Sequence, residues 1–155
     1  MLSDAEMLDP PVGGDLTVVV DRHVTRTTTT KENPMTVQLS LDPVIAAHIA
    51  AINSFDLDAI MDTFAEDALV NDAAREFWGQ ERIRAFVAKE LVGDRVTLQP
   101  VEAVDNAGMW CVRCRYEGDY DKTGLPDPLI MTNYLRVQDG KIVTLFIVNN
   151  TAPQY

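Results

Sequence analysis

Hydrophobic residues recur at helical spacing in the part of the chain that follows residue 40. Asp42 can cap a helix that has Pro43 at its first position, and a stripe of mostly apolar residues follows. The members of this stripe are Val44, Ile45, His48, Ile49, Ile52 and Phe55. Asp56 begins a second short helix, and residues 79–92, ended by Gly93, repeat the helical period. The pattern therefore predicts three helices.

After Gly93 the apolar residues alternate with polar ones, which is typical of strands. The alternating segments are 95–105, 109–120, 129–138 and 141–150, and a short β-favouring run, 67–72, lies between the second and third helices. Turn sequences, Asn106-Ala107-Gly108 and Asp139-Gly140, join two pairs of these segments. Helices followed by antiparallel strands predict an α+β fold, with the helices packed on one face of a curved sheet.

The first 34 residues differ in composition from the rest of the chain. They include four turn-forming or low-complexity sequences, Asp9-Pro10-Pro11, Gly13-Gly14, the threonines 27–30 and Asn33-Pro34. We expect residues 1–34 to be a flexible N-terminal extension and residues 35–155 to form one domain. The N-terminus has neither the basic start nor the apolar core of a secretory signal.

Charge and cysteine content exclude several classes of function. The chain has 24 acidic and 13 basic residues and a net charge of −11, so it should repel nucleic acids and anionic membranes. No apolar run approaches the roughly 18 residues of a membrane helix. Cys111 and Cys114 fall on opposite faces of a predicted strand and cannot form a metal pair there. We expect a cytoplasmic protein with reduced thiols and with neither metal nor cofactor.

Three polar residues interrupt three different apolar rows. His48 lies on the helical stripe, Asp72 shares the parity of the apolar residues in its strand, and Asn133 is an amide among aliphatic positions of the segment 129–137. Structural interpretations remain open for each of them: a hydrogen-bonded core histidine, a turn-forming aspartate and an amide that bridges strands. A buried amide without a partner costs about 1–3 kcal/mol, so Asn133 must bind protein or ligand.

The run AAHIAAINSFDLDAIMDTFAEDALVND, with Trp78-Gly79 and IRAF after it, resembles the start of the nuclear transport factor 2-like superfamily. This superfamily includes SnoaL-like polyketide cyclases and ketosteroid isomerases. NYLRVQDGKIVTLFIV is similar to its last hairpin, and the resemblance covers residues 40–150. It implies a cone-shaped cystatin/NTF2-like fold, in which three N-terminal helices close against a strongly curved antiparallel sheet. That cone hosts enzymes, ligand binders and interaction modules alike.

Comparison with ketosteroid isomerase gives the three polar residues candidate catalytic roles. The resemblance places Asp72 at the catalytic base, His48 at the oxyanion-hole tyrosine and Asn133 near the oxyanion-hole aspartic acid. Ala73 follows Asp72 where the family commonly has proline. The comparison implies that Asp72, with a raised pKa, removes a proton next to a carbonyl group. N–H groups of His48 and Asn133 would then stabilise the enolate oxygen.

Three classes of function follow from these residues. The first is an acid–base enzyme (isomerase, cyclase or dehydratase) that acts on a small hydrophobic carbonyl compound. The second is a protein that binds such a molecule without reaction, and the third is a homodimeric interaction module. Candidate ligand-binding residues are Trp78, Phe77, Trp110, Tyr116, Met131 and Phe64. An epoxide hydrolase of the superfamily needs an arginine between two carboxylates, and Arg113 and Arg115 have the wrong parity for that role.

The outward row of the predicted sheet mixes apolar and charged residues. It consists of Tyr134, Arg136, Arg113, Arg115, Ile130 and Thr132. Such a face suits a second copy of the same chain, and members of the superfamily often pair there. We therefore expect a homodimer formed through the sheet.

Overall fold

A computed structural model describes residues 39–149, so the expected N-terminal extension, 1–34, lies outside the described residues. The helices are α1 (Pro43–Asn53), α2 (Leu57–Asp62) and α3 (Gly79–Phe86), and α3 continues as a π-helical segment (Val87–Val92). The strands are β1 (Phe64–Asp72), β2 (Arg75–Trp78), β3 (Thr97–Asn106), β4 (Met109–Glu117), β5 (Leu129–Gln138) and β6 (Lys141–Asn149). Within 39–149, no helix is both long and apolar enough to cross a membrane.

The two predicted helix caps are present. The Val44 N–H donates to Asp42 Oδ1 at 2.9 Å, and the Ala59 N–H donates to Asp56 Oδ1 at 3.1 Å. Each carboxylate satisfies an N–H group that the first helical turn would leave unpaired. Phe64 begins β1 and is buried there.

The third helix departs from the regular helix predicted over 79–92, because its second half is π-helical. Gly93 ends it in a right-handed conformation, with φ −61° and ψ −39°, rather than in the left-handed conformation expected of a glycine cap. A Cβ atom at Gly93 would collide with the carbonyl oxygen of Lys89. This glycine is therefore required for close approach of the backbone.

The six strands form one sheet in the order β2-β1-β6-β5-β4-β3. The β1–β6 pairing is parallel and the other four are antiparallel, so the prediction of an entirely antiparallel sheet was wrong at this pair. The reason is that β1 and β2 come before α3, and the last strand of the later meander returns alongside β1. The chain thus has an α+β fold in which two helices, not three, precede the first strand.

The hydrophobic core lies between the helices and one face of the sheet. Its most buried side chains include Ile45, Ile60, Val70, Ile83, Val112 and Ile142. Val112, Cys114 and Tyr116 are buried on β4, and Asn133 and Leu135 on β5, as the alternation predicts. Thr132 is an exception, because it was predicted in the outward row of β5 but is buried. These rows bring polar side chains into the core, where they need partners.

Candidate functional site

A pocket of about 290 Å³, here called the outer pocket, opens where β1 ends. Its wall includes Asp72, Glu90, Tyr120, Leu129, Met131 and Ile147. The side chain of Asp72 is 21% exposed, so its carboxylate lies at the boundary between the core and solvent. Burial raises the pKa of Asp72 above its ordinary value, and the hydrogen bond and charge of Arg75 partly oppose this rise.

Arg75 joins two carboxylates at the rim of the outer pocket. Its Nη2 lies 2.5 Å from Asp72 Oδ2, and its two terminal nitrogens each lie 2.9 Å from one oxygen of Glu90. Two carboxylates share one guanidinium, so the group carries net negative charge when both are ionised. Arg75 forms its bidentate pair with Glu90 and makes a single contact with the carboxylate of Asp72. Burial therefore has a larger effect on the pKa of Asp72 than Arg75 has.

A tight turn places Arg75 beside Asp72. Ala73 and Ala74 have φ of 54° and 70°, and the residues that flank them are register partners in the β1–β2 hairpin. Left-handed conformations at two successive alanines are unfavourable and define a primed hairpin turn, which usually contains asparagine or glycine. Strain of this kind concentrates at functional sites. The turn was missed in the sequence because Ala-Ala is not a turn signal.

A second, smaller space, here called the inner cavity, lies deeper in the core and has a volume of about 20 Å³. It is lined by His48, Cys114, Asn133 and Tyr116 together with aliphatic side chains such as Ile45 and Ile49. Leu91, Tyr116 and Ile147 line both the inner cavity and the outer pocket. A space of this size holds one group as large as a water molecule.

Asp72 and Asn133 belong to one row across the sheet. Asp72 is the register partner of Ile147, which is in turn the partner of Asn133. Two strand spacings separate the Cα atoms of Asp72 and Asn133 by roughly 10 Å. A molecule in the outer pocket that extends over Ile147 would therefore approach the inner cavity.

The buried amide of Asn133 has partners within the protein, as it must. Tyr116 Oη donates to Asn133 Oδ1 at 2.7 Å, and Asn133 Nδ2 donates to the Val112 carbonyl oxygen at 3.4 Å. Burial raises the pKa of Tyr116 well above its ordinary value, so this phenol stays protonated. Asn133 is thus held in place by a neighbouring strand and by Tyr116.

His48 also has a partner inside the core. Its Nδ1 lies 2.9 Å from Thr63 Oγ1, and the hydroxyl of Thr63 donates to the Ile60 carbonyl oxygen at 2.6 Å. The imidazole packs edge-on against Phe64, with ring centroids 5.2 Å apart. Burial lowers the pKa of His48 to about 4, so the ring is neutral at pH 7.

The structure separates the candidate ligand-binding residues into two groups. Tyr116 and Met131 line the outer pocket. The other four candidates, Trp78, Phe77, Trp110 and Phe64, line neither the outer pocket nor the inner cavity. Trp78 ends the edge strand β2 and is 59% exposed, while Phe77 stacks on Phe86 with centroids 4.6 Å apart. Trp110 is the second residue of β4 and is the register partner of Leu135.

Phe64 is the fourth of these residues, and it packs against His48 at the start of β1. Arg113 and Arg115 lie on the outward face of β4, as predicted; Arg113 pairs with Glu102 and Arg115 with Glu117. The sequence interpretation missed Arg75 and Glu90, which are 15 residues apart and meet only through the fold. Thr63, the partner of His48, was missed for the same reason.

The buried imidazole predicts a specific dependence of stability on pH. The unfolded chain protonates His48 near pH 6.5 and the folded chain near pH 4, so the free energy of unfolding should fall as pH decreases across this interval. The loss should approach about 3 kcal/mol and level off below the folded pKa. In His48→Gln this part of the pH dependence should be absent. Urea unfolding of both proteins at several pH values measures the difference, and parallel curves would contradict the expectation.

Comparisons with known proteins agree with this architecture. A candidate polyketide cyclase from Sinorhizobium meliloti shares 26% identity, with a TM-score of 0.60 over 69% of this chain and 94% of that one. A protein with a ketosteroid isomerase-like fold from Catenulispora acidiphila, in complex with trimethylamine, has 21% identity and a TM-score of 0.61 over 72% and 88% of the two chains.

TerC, co-crystallised with polyporic acid, has 18% identity and a TM-score of 0.59 over 69% of this chain and 88% of that chain. No curated protein matches this chain by sequence. The SnoaL-like domain family matches residues 45–145, which include every side chain that lines the inner cavity except Ile147 on β6. The chain therefore belongs to the family of SnoaL-like domains.

Proposed function

We propose that this protein binds a small, mostly apolar carbonyl compound in the outer pocket and that Asp72 removes a proton from it. The reaction class is that of an isomerase, cyclase or dehydratase. The observation that carries the proposal is the position of Asp72, a half-buried carboxylate with a raised pKa at the mouth of an apolar pocket. A general base works best when burial brings its pKa closer to the operating pH.

The neighbours of Asp72 fit a proton acceptor. Glu90 takes the bidentate bond of Arg75, and this leaves Asp72 with one guanidinium contact and the remaining carboxylate oxygen for a substrate. Once Asp72 has taken up a proton, Glu90 balances the charge of Arg75 and the group is neutral, so it no longer repels the negative charge that develops on an enolate. Two structures of similar fold were obtained with small organic molecules, which agrees with small-molecule binding.

Binding without reaction is the second candidate, and one observation favours it. Asn133, which the comparison with ketosteroid isomerase would place in an oxyanion hole, already bonds to Tyr116 and Val112. An enolate in the inner cavity would have to compete with these bonds for the amide N–H. The two candidates differ in whether the protein moves a proton.

Hydrogen–deuterium exchange in D₂O tests whether the protein moves a proton or only binds its ligand. The experiment does not require the natural substrate to be known. A panel of apolar ketones is incubated with the protein, and loss of the α-proton signal is followed by NMR. Protein-dependent exchange in any member supports the enzyme. Saturable binding without exchange supports the second candidate, and the absence of both would contradict the proposed function.

We also propose that the outward face of the sheet joins two copies of the chain. Val104, Cys111, Tyr134 and Phe146 are successive register partners across four strands. Three of them are large and well exposed, at 38%, 41% and 37% for Val104, Tyr134 and Phe146. A continuous apolar row of this kind is typical of a protein interface.

Light scattering after size exclusion should therefore give twice the mass of the 17.2 kDa chain. Tyr134→Glu places a charge in the middle of the row and should shift the mass toward one chain. Glu81→Lys, an exposed substitution on α3, serves as the control. A wild-type mass equal to one chain would exclude the homodimer.

A further inference from the structure

The hydrogen bonds around His48 define which of its nitrogens carries the proton. Thr63 has one hydroxyl proton, and it is donated to the Ile60 carbonyl oxygen at 2.6 Å. The same oxygen lies 2.9 Å from His48 Nδ1, so it can only accept there, and Nδ1 must be the nitrogen that carries hydrogen. In a neutral imidazole the other nitrogen, Nε2, then has a lone pair and no proton.

Among the residues that the structure describes, His48 Nε2 has no hydrogen-bond partner. His48 is 3% exposed, and within residues 39–149 its hydrogen bonding is confined to the Nδ1 contact with Thr63. The ring lines the inner cavity, where burial keeps it neutral and lowers its pKa to about 4. A buried acceptor with no partner loses the free energy of its bond to water, so a group that donates a hydrogen bond is favoured beside it.

The other polar groups of the inner cavity direct their protons to the protein. The hydroxyl proton of Tyr116 goes to Asn133 Oδ1 at 2.7 Å, and Asn133 Nδ2 donates to Val112. A hydrogen bond to Asn133 also acts on the Cys114 thiol, whose pKa burial raises to about 12. Within residues 39–149, the Tyr116 hydroxyl and one N–H of Asn133 already have protein acceptors, whereas His48 Nε2 is an acceptor that no group uses.

We propose that the inner cavity binds a hydroxyl group of the ligand, which donates its hydrogen bond to His48 Nε2. The volume of about 20 Å³ admits one such group, and the apolar remainder of the ligand extends past Leu91 and Ile147 into the outer pocket. Thr63 acts as a positioning residue, since it holds the tautomer of His48. The inference rests on the proposed small-molecule function and narrows the ligand to an apolar carbonyl compound that also carries a hydroxyl group.

Binding of matched probes tests this directly. Phenol, toluene and benzaldehyde form an aromatic series, and cyclohexanol, methylcyclohexane and cyclohexanecarbaldehyde form an aliphatic one. NMR titration at neutral pH should give each hydroxyl compound a Kd about three- to tenfold lower than that of its methyl and aldehyde analogues. In long-range ¹H–¹⁵N spectra, Nδ1 of His48 should be the protonated nitrogen, and the Nε2 signal should move when phenol binds.

Two variants separate the hydroxyl site from a merely structural role. His48→Phe keeps an aromatic ring of similar shape and should abolish the preference for the hydroxyl compounds. Thr63→Val removes the hydroxyl that holds the tautomer and keeps His48, so it should weaken the preference for the hydroxyl compounds. This variant provides the test if His48→Phe fails to fold. Equal affinities within a series, tighter binding of an aldehyde, or a proton on Nε2 would overturn the hydroxyl site but not the proposed function. Failure of every probe to bind the wild-type protein would overturn the proposed function together with it.

Discussion

Replacement of Asp72 by asparagine is expected to lower protein-dependent hydrogen–deuterium exchange of an active ketone by about 10²–10⁴-fold. The amide keeps the shape of the side chain and one acceptor oxygen, but it cannot take up a proton at neutral pH. The fold should persist, because Arg75 keeps its bidentate pair with Glu90 and ion pairs this exposed contribute little to stability. The rate is measured by NMR on the ketone that the wild-type protein exchanges fastest.

Asp67→Asn provides a matched control for this experiment. Asp67 is on the same strand as Asp72, but it is exposed and does not line the outer pocket. Its replacement removes an equal charge and should leave the rate unchanged. If Asp72→Asn exchanges the ketone as fast as the wild-type protein, Asp72 is not the base. If both variants lose activity together, general electrostatics rather than proton transfer explains the loss.

Removal of the Tyr116 hydroxyl is expected to lower the free energy of unfolding by about 1–3 kcal/mol. In Tyr116→Phe the Asn133 Oδ1 atom would remain buried without the donor that now lies 2.7 Å away. Asn133→Leu should cost a similar amount, because it leaves the Tyr116 hydroxyl without its acceptor. Urea unfolding, with the midpoint and slope fitted separately, measures both changes.

The double variant Tyr116→Phe/Asn133→Leu should lose less free energy of unfolding than the sum of the losses in the two single variants. Each single variant leaves one buried polar group unpaired, whereas the double variant removes both groups. Asn133→Leu also removes the hydrogen bond to the Val112 carbonyl oxygen. The double variant should therefore remain somewhat less stable than the wild-type protein. Strict additivity would show that the Tyr116–Asn133 bond contributes nothing beyond packing.

Much of the fold could be predicted because the relevant forces act over a few residues. The caps at Asp42 and Asp56 depend on N–H groups two and three residues away, and both are present. Alternation in β4 and β5 identified their inward rows, including Asn133, because a strand turns successive side chains to opposite faces. The same reasoning recognised His48 as a buried residue of α1.

The candidate site was predicted only in part. Asp72, Tyr116 and Met131 do line the outer pocket, and His48 and Asn133 line the inner cavity together. The tryptophans do not, since periodicity identifies the face of an element but not its distance from a pocket. Trp78 ends an edge strand and Trp110 is the second residue of β4, and the distance of either side chain from the pocket cannot be inferred from spacing.

The sequence by itself determined the helix starts, the buried rows of the strands and the presence of polar residues within those rows. All of these depend on local backbone geometry and on the periods of helix and strand. Tertiary structure alone decided the parallel β1–β6 pairing, the Asp72–Arg75–Glu90 group and the contact between His48 and Thr63. Each of these depends on contacts between residues that are distant in the chain or on an unusual local geometry, such as the π-helical segment that carries Glu90. Such contacts are set by the packing of the whole core, which no local pattern specifies.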